Sequence, residues 1–224
     1  MVEFLENCFV CIMCRRRKAM AEAYCAEKYL GLCKMCSDKI SRVPKGAVFP
    51  GTGALSSLFA ACFYGGSFRE AVKRYKFSAQ TRYAKVFAII MYERFADLGL
   101  HRDFDMMTAV PISRKRLWER GFSQTELLAR PLADMLSIPF DGTYVFKKRH
   151  NQRQSMTRDR QERLGNVKDV YIADSRKVCG KDILLFDDIY TTGATMESCA
   201  AELVEKGAHS VTGIVLAKTG EDNV

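Results

Sequence analysis

The chain has 224 residues, with 35 Lys and Arg against 26 Asp and Glu, a formal charge of +9 at pH 7. That length accommodates one ordinary domain and a small accessory module, and 48% apolar residues supply a sizeable core. No apolar stretch is long enough to span a bilayer, which argues against a transmembrane protein. The charge favours an anionic partner, either nucleic acid or a phosphorylated small molecule.

The N-terminus, Met1-Val2-Glu3-Phe4-Leu5-Glu6, is acidic and short, unlike a secretory signal. Six of the nine cysteines follow in the first 36 residues: Cys8, Cys11, Cys14, Cys25, Cys33 and Cys36. Without an export signal, thiols in this number imply metal ligation or burial rather than disulfides, and a cytoplasmic protein is expected. Two Cys-x-x-Cys knuckles separated by a loop are the spacing of a structural four-thiolate Zn2+ site. Cys11, Cys33 and Cys36 belong to either plausible ligand set. Cys14 is the preferred fourth ligand, Cys8 its rival, and Cys25 a spare thiol. A module this small cannot build its own core, so zinc is expected to supply most of its folding energy. Residues 1–42 are read as this module, and 43–53, with Pro44, Gly46, Pro50 and Gly51, as a linker to a domain over 54–224.

Within 54–224, Phe68, Val72 and Tyr75 fall at helical spacing, as do Tyr83, Phe87, Ile90 and Leu98 in a longer helix. Lys73-Arg74-Tyr75-Lys76-Phe77 interleaves cations with aromatics, a composition that suits base stacking, although the spacing of Tyr75 favours the core. Asp105 to Pro111 reads as a buried strand. Beyond it, Arg114, Lys115, Arg116 and Arg120 place four cations within seven residues, enough to neutralise a diphosphate or a nucleic-acid backbone. Trp118 among them is expected to pack. Ser123 with Glu126 forms a capping box, so a helix starts near Gln124, with Pro131 bending it. The polar, basic stretch from Lys147 to Arg163 reads as a loop over the strand ends, with His150 a weak proton-carrier candidate.

Val170 to Ile172 and Val211 to Leu216 read as short strands flanking the most informative segment. There Ile183-Leu184-Leu185-Phe186 makes a buried strand, followed by Asp187-Asp188-Ile189-Tyr190-Thr191-Thr192-Gly193-Ala194-Thr195 and a helix from about Thr195 to a cap at Gly207. In open α/β sheets, ligands bind beyond such strand ends. Thr191, Thr192, Gly193, Ala194 and Thr195 can aim amides and hydroxyls at a phosphate, with the helix dipole adding to the attraction. Asp187 and Asp188 would repel a bare phosphate but accept protons from hydroxyls. A sugar phosphate supplies both groups, which points to a ribose 5-phosphate site. The alternation of strands and helices implies an α/β fold with a mostly parallel sheet and helices on both faces.

The acids and the TTGAT turn resemble the phosphoribosyl diphosphate loop of type I phosphoribosyltransferases, whose loop after the earlier strand contacts pyrophosphate. With the cysteine knuckles, Tyr75-Lys76-Phe77-Ser78, Val110-Pro111, Arg120-Gly121-Phe122-Ser123-Gln124, Gln154, Arg163 and Asn166-Val167, nearly the whole chain resembles the ComF family of competence-related, phosphoribosyltransferase-like proteins. Two departures stand out. Ser123 replaces the family's usual Asn, and the spacing from Gln154 to Asn166 is one residue longer than the family's usual spacing. The resemblance implies a type I phosphoribosyltransferase-like fold with an N-terminal zinc module, and phosphoribosyl diphosphate bound with Mg2+. It also implies handling of incoming single-stranded DNA in natural competence, beside uptake machinery at the inner membrane, where the protein is cytoplasmic or peripheral. Active transfer of ribose 5-phosphate, with release of pyrophosphate, is the alternative.

Overall fold

A single five-stranded sheet organises the computed structural model, which describes residues 8–23, 31–77, 81–113, 117–119, 121–147 and 170–220. The N-terminal part pairs β1 (Cys8–Val10) with β2 (Arg17–Ala19) and then forms the one-turn helix α1 (Lys34–Ser37). Next come β3 (Val48–Pro50), β4 (Ser57–Phe63), α2 (Gly66–Phe77), α3 (Thr81–Phe95) and β5 (Met106–Ala109). They are followed by α4 (Gln124–Leu136), β6 (Val145–Lys147), β7 (Tyr171–Ala173) and α5 (Ser175–Val178). The last elements are β8 (Asp182–Tyr190), α6 (Ala194–Glu205) and β9 (Ser210–Lys218).

Strand order in the sheet is β3-β4-β9-β8-β5, with β3 antiparallel at one edge and the other four parallel. Parallel strands covered on both faces must be apolar on both, which explains the unbroken buried runs Ile183–Phe186 and Ile214–Ala217. Successive side chains alternate between faces. Leu184 and Phe186 join the core beneath α2, α3 and α4, whereas Ile183 and Leu185 join the core beneath α6 and β7. On the first face the helical spacing brings Phe68 and Tyr75 edge-on to Phe87, with ring centroids 5.7 and 5.6 Å apart. Ser123 caps α4 by accepting from the Glu126 amide at 3.3 Å, and the helix continues through Pro131.

Two expectations change, and one strand was not anticipated. The stretch 43–53 carries the edge strand β3, and the Val43 amide donates to the Ala61 carbonyl at 3.0 Å, so this segment is built against β4. Strand β4 itself had no sequence signal, because Leu58-Phe59-Ala60-Ala61-Cys62 is apolar without alternation, as a strand covered on both faces must be. The N-terminal module also has a core, which it shares. Phe9, Ile12 and Leu32 are buried in one cluster with Val86, Phe87 and Ile90 of α3. Gly31 comes so close to α3 that a Cβ there would lie 2.6 Å from Val86 Cγ2. Any metal therefore adds to packing energy that the module already obtains from α3.

Candidate functional site

Strand β8 runs past Phe186 to Tyr190, so both acids lie in its last turn of pleat, with Asp187 opposite Val215 of β9. Alternation then separates the acids. Asp188 follows Leu184 and Phe186 toward the α2–α4 side, and Asp187 follows Ile183 and Leu185 toward the α6 side. Both line a cavity of about 710 Å³ at the carboxyl ends of β5 and β8, together with Tyr64, Lys76, Val110, Pro111, Ile112, Ser113, Gln124, Thr125, Lys147, Tyr171, Ile189, Thr191 and Thr195.

Each acid has a lysine on its own side. Lys76, in the last turn of α2, places Nζ 2.9 Å from Asp188 Oδ2. Lys147 of β6 lies with its ammonium 5.5 Å from the centre of the Tyr171 ring. Burial raises the Asp187 carboxyl to about 7, and the neighbouring charge of Asp188 adds to the rise. The Asp188 amide, donating to Asp187 Oδ1 at 2.8 Å, and the charges of Lys76 and Lys147 work in the other direction. The pair thus combines a carboxylate held by a cation with a carboxyl group that titrates near neutrality.

The turn after β8 has the shape that the hydroxyl-rich sequence requires. Gly193 adopts φ +78°, a conformation that glycine enters without strain, and a Cβ there would crowd the Tyr190 ring. Thr191, Thr192, Ala194 and Thr195 are exposed, and α6 starts at Ala194, so its positive dipole end lies beside the two acids. An acid in the first turn, Glu197, would weaken that end for an anion, but its charge is engaged elsewhere. Its Oε1 accepts from the Thr52 amide and hydroxyl at 3.1 and 2.6 Å, and its Oε2 from the Ala54 and Leu55 amides at 2.9 and 3.3 Å.

The second candidate centre is the cysteine cluster. The sulfurs of Cys11, Cys14, Cys33 and Cys36 all lie within 4.8 Å of one another, whereas Cys8, in β1, is outside the group. Tetrahedral thiolates about 2.3 Å from a zinc ion fit this spacing. Burial alone would raise the Cys11 thiol, yet the amides of Cys33, Cys14 and Met13 bring it down to about 7, toward the thiolate that a metal needs. Burial pushes Cys33 and Cys36 up.

A family profile for the phosphoribosyl transferase domain matches residues 124–224. The chain is 32% identical over 155 residues to competence protein ComFC of Streptococcus pneumoniae, covering 69% of this chain and 65% of that one. It is 26% identical over 212 residues to ComFC of Bacillus subtilis, covering 84% of each, and 25% identical over 232 residues to the DNA utilization protein YhgH of Escherichia coli, covering 94% and 97%. The chain belongs to the ComF family. Among solved structures, the B. subtilis glutamine phosphoribosylpyrophosphate amidotransferase aligns with 59% of the chain and 26% of its own length, at 20% identity and TM-score 0.43. A Trypanosoma cruzi hypoxanthine phosphoribosyltransferase covers 60% and 67% at 15% identity and TM-score 0.39.

In this ComF-family chain, Asp187, Asp188, Thr191 and Thr195 meet at one cavity, and Thr192, Gly193 and Ala194 form the turn between them. Arg114, Lys115, Arg116 and Arg120 lie outside the described residues, as do Cys25, His150, Gln154 and Arg163. Trp118, expected to pack, is 88% exposed, in a short helical turn, 117–119, whose Leu117 amide donates to the Ser113 carbonyl on the cavity rim. Tyr64, Lys76 and Tyr171 were not read as cavity residues, and Lys147, expected at the start of a loop over the strand ends, is instead the last residue of β6 and lines the cavity. For Lys76 a signal existed in the Tyr75-Lys76-Phe77 motif. Tyr75 is fully buried and donates its hydroxyl to the Gln124 carbonyl at 2.6 Å, which leaves the next residue to reach the acids. Among the described residues no helix is long and apolar enough to cross a membrane.

Proposed function

We propose that the cavity binds phosphoribosyl diphosphate with Mg2+, and that the protein uses this pocket while handling single-stranded DNA in competence or DNA utilization. The observation that carries the reading is the placement of Asp187 and Asp188 beside the 191–195 turn in one cavity. The carboxylates accept the ribose hydroxyls. Thr191, Thr192, Gly193, Ala194 and Thr195 cradle the 5-phosphate at the start of α6. Bound Mg2+ would offset the charge of the diphosphate next to the two acids. Zn2+ on Cys11, Cys14, Cys33 and Cys36 is structural, since four protein ligands leave no open position. The nucleic-acid part is supported by the net charge of +9 and by relatives named for competence and DNA utilization.

The test is calorimetric titration of Mg2+ and phosphoribosyl diphosphate into the zinc-loaded protein, repeated on the Asp187→Asn, Asp188→Asn double variant. Saturable heat lost in a folded double variant supports the pocket, and no heat from the wild type rejects it. In parallel, single-stranded DNA should bind at low salt, with log K falling linearly as log salt rises. Negligible binding at low salt removes the DNA part of the reading.

Actual transfer chemistry is a second reading, favoured by the position of the Asp187 carboxyl in the lining of the cavity. An Asp187 carboxyl titrating at about 7 can hold or release a proton at physiological pH, as an acceptor base losing a proton requires. Transfer would release pyrophosphate, with catalysis coming mainly from positioning and charge stabilisation. Absence of pyrophosphate release across free bases, nucleosides and DNA excludes it.

A further inference from the structure

We infer that the cysteine module is a strut for the ligand cavity, and that Arg74 is the positioning residue that transmits its support. The inference rests on the reading of the cavity as a phosphoribosyl diphosphate site. Arg74 projects from α2 into the first knuckle, where one guanidinium nitrogen donates to the carbonyls of both Ile12 and Met13, at 2.9 Å each. Those two residues lie between Cys11 and Cys14, so the carbonyls belong to the turn that a bound metal would fix. Ile12 in turn donates its amide to Gly31 at 2.6 Å, tying this knuckle to the loop that leads into Cys33. Arg74 Nε is buried with no hydrogen-bond partner among the described residues. Arg74 is half-buried at the junction, with the Nε end of its guanidinium against protein.

The next two residues of α2 lock the cavity side. Tyr75 donates to the Gln124 carbonyl at 2.6 Å, Gln124 Nε2 donates back to the Lys76 carbonyl at 2.8 Å, and Lys76 reaches Asp188. Three consecutive side chains thus bind the knuckle, the start of α4 and the acid on β8. The end of α2 cannot rotate or slide without loosening all three. A knuckle that loses its metal loses the fixed carbonyls on which Arg74 is anchored, and the freedom gained reaches Lys76. By linkage, a ligand that orders the cavity must also tighten the module, so metal retention and ligand affinity are coupled.

The experiment uses the full-length, zinc-loaded chain and its Arg74→Met and Arg74→Lys variants. Zinc content, amide hydrogen exchange over 66–77, and titration with Mg2+ and phosphoribosyl diphosphate are measured on each. The strut predicts faster exchange in 66–77 for Arg74→Met and roughly tenfold weaker ligand binding, with Arg74→Lys intermediate. It also predicts that the ligand slows zinc loss to a chelator in the wild type, and does so less in Arg74→Met. Wild-type affinity in Arg74→Met, or unchanged exchange in 66–77, overturns the inference. If Arg74→Met does not fold, Arg74→Lys decides by the same readouts. If the wild type fails to bind the ligand, the cavity reading has failed, and the exchange data alone still judge the strut.

Discussion

Lys76 and Asp188 form a 2.9 Å ion pair that joins the end of a helix on one face of the sheet to the carboxyl end of β8, between β9 and β5. The pair exists because Asp188 has the parity of Leu184 and Phe186, whereas Asp187, one residue earlier, faces the other layer. Two adjacent acids thereby acquire different surroundings, one charged and paired, the other pushed toward protonation.

Removing the cation should expose the cost of that arrangement. With the side chain of Lys76 at 28% and that of Asp188 at 12% exposure, the pair is neither a surface contact nor a deeply buried one. Lys76→Met is expected to destabilise the fold by about 1–2 kcal/mol, between the surface and buried limits. Asp188→Asn in the same chain should cancel much of that loss, because the penalty lies in the unpaired carboxylate. Urea midpoints for the two single variants and the double variant test this, and strictly additive losses would remove the pairing argument.

Asp187 predicts a pH dependence with a definite sign. Its carboxyl titrates at about 7 in the folded chain against 3.8 for an unperturbed aspartate. Below 3.8 both states are protonated and the folded protein bears no cost. As pH rises from there to about 7, the unfolded chain ionises first, so stability contributed by this group is lost. Asp187→Asn should therefore be more stable than the wild type at pH 8, by more than about 1 kcal/mol, with the advantage shrinking toward pH 4. Ligand affinity should move oppositely, rising through pH 7 as the carboxylate that accepts ribose hydroxyls appears. An affinity flat from pH 5 to 8 would show that Asp187 does not meet the ligand.

The cysteine cluster separates two ligand sets that spacing alone left open. Cys14→Ser should reduce bound zinc and Cys8→Ser should leave it at one per chain, measured by elemental analysis after gel filtration. The reverse result would exchange the two assignments. Because Phe9, Ile12 and Leu32 share a core with α3, metal removal should also lower the thermal midpoint of the whole chain rather than melt a separate module.

Much of the site was legible because its chemistry is local in sequence. The run from Ile183 to Thr195 contains strand, acids, turn and helix start in thirteen consecutive residues, and the Ser123 cap is equally local. Lys76, Lys147, Tyr64 and Tyr171 were not legible as cavity residues, since only strand order and crossover connections bring them there. The role of Arg74 was hidden for the same reason: its partners, Ile12 and Met13, are about sixty residues away. Strand β4 escaped for a different reason, because a strand buried on both faces carries no alternation to read.

Glu197 gives the last prediction. An acid in the first turn of α6 should oppose phosphate binding, yet here it accepts four hydrogen bonds from Thr52, Ala54 and Leu55. Glu197→Ala would leave three amides and a hydroxyl without their acceptor, at a cost of about 1.5–3 kcal/mol for charged hydrogen bonds of this kind. Glu197→Gln keeps an acceptor oxygen and should cost less. If Glu197 merely sat beside the phosphate turn, removing its charge would strengthen ligand binding in both variants. If instead it holds the 52–55 segment against α6, Glu197→Ala should weaken binding through loss of order, while Glu197→Gln stays close to the wild type. Phosphoribosyl diphosphate titrations on the two variants, read beside their urea midpoints, separate the electrostatic role from the structural one, and the four short contacts favour the structural outcome.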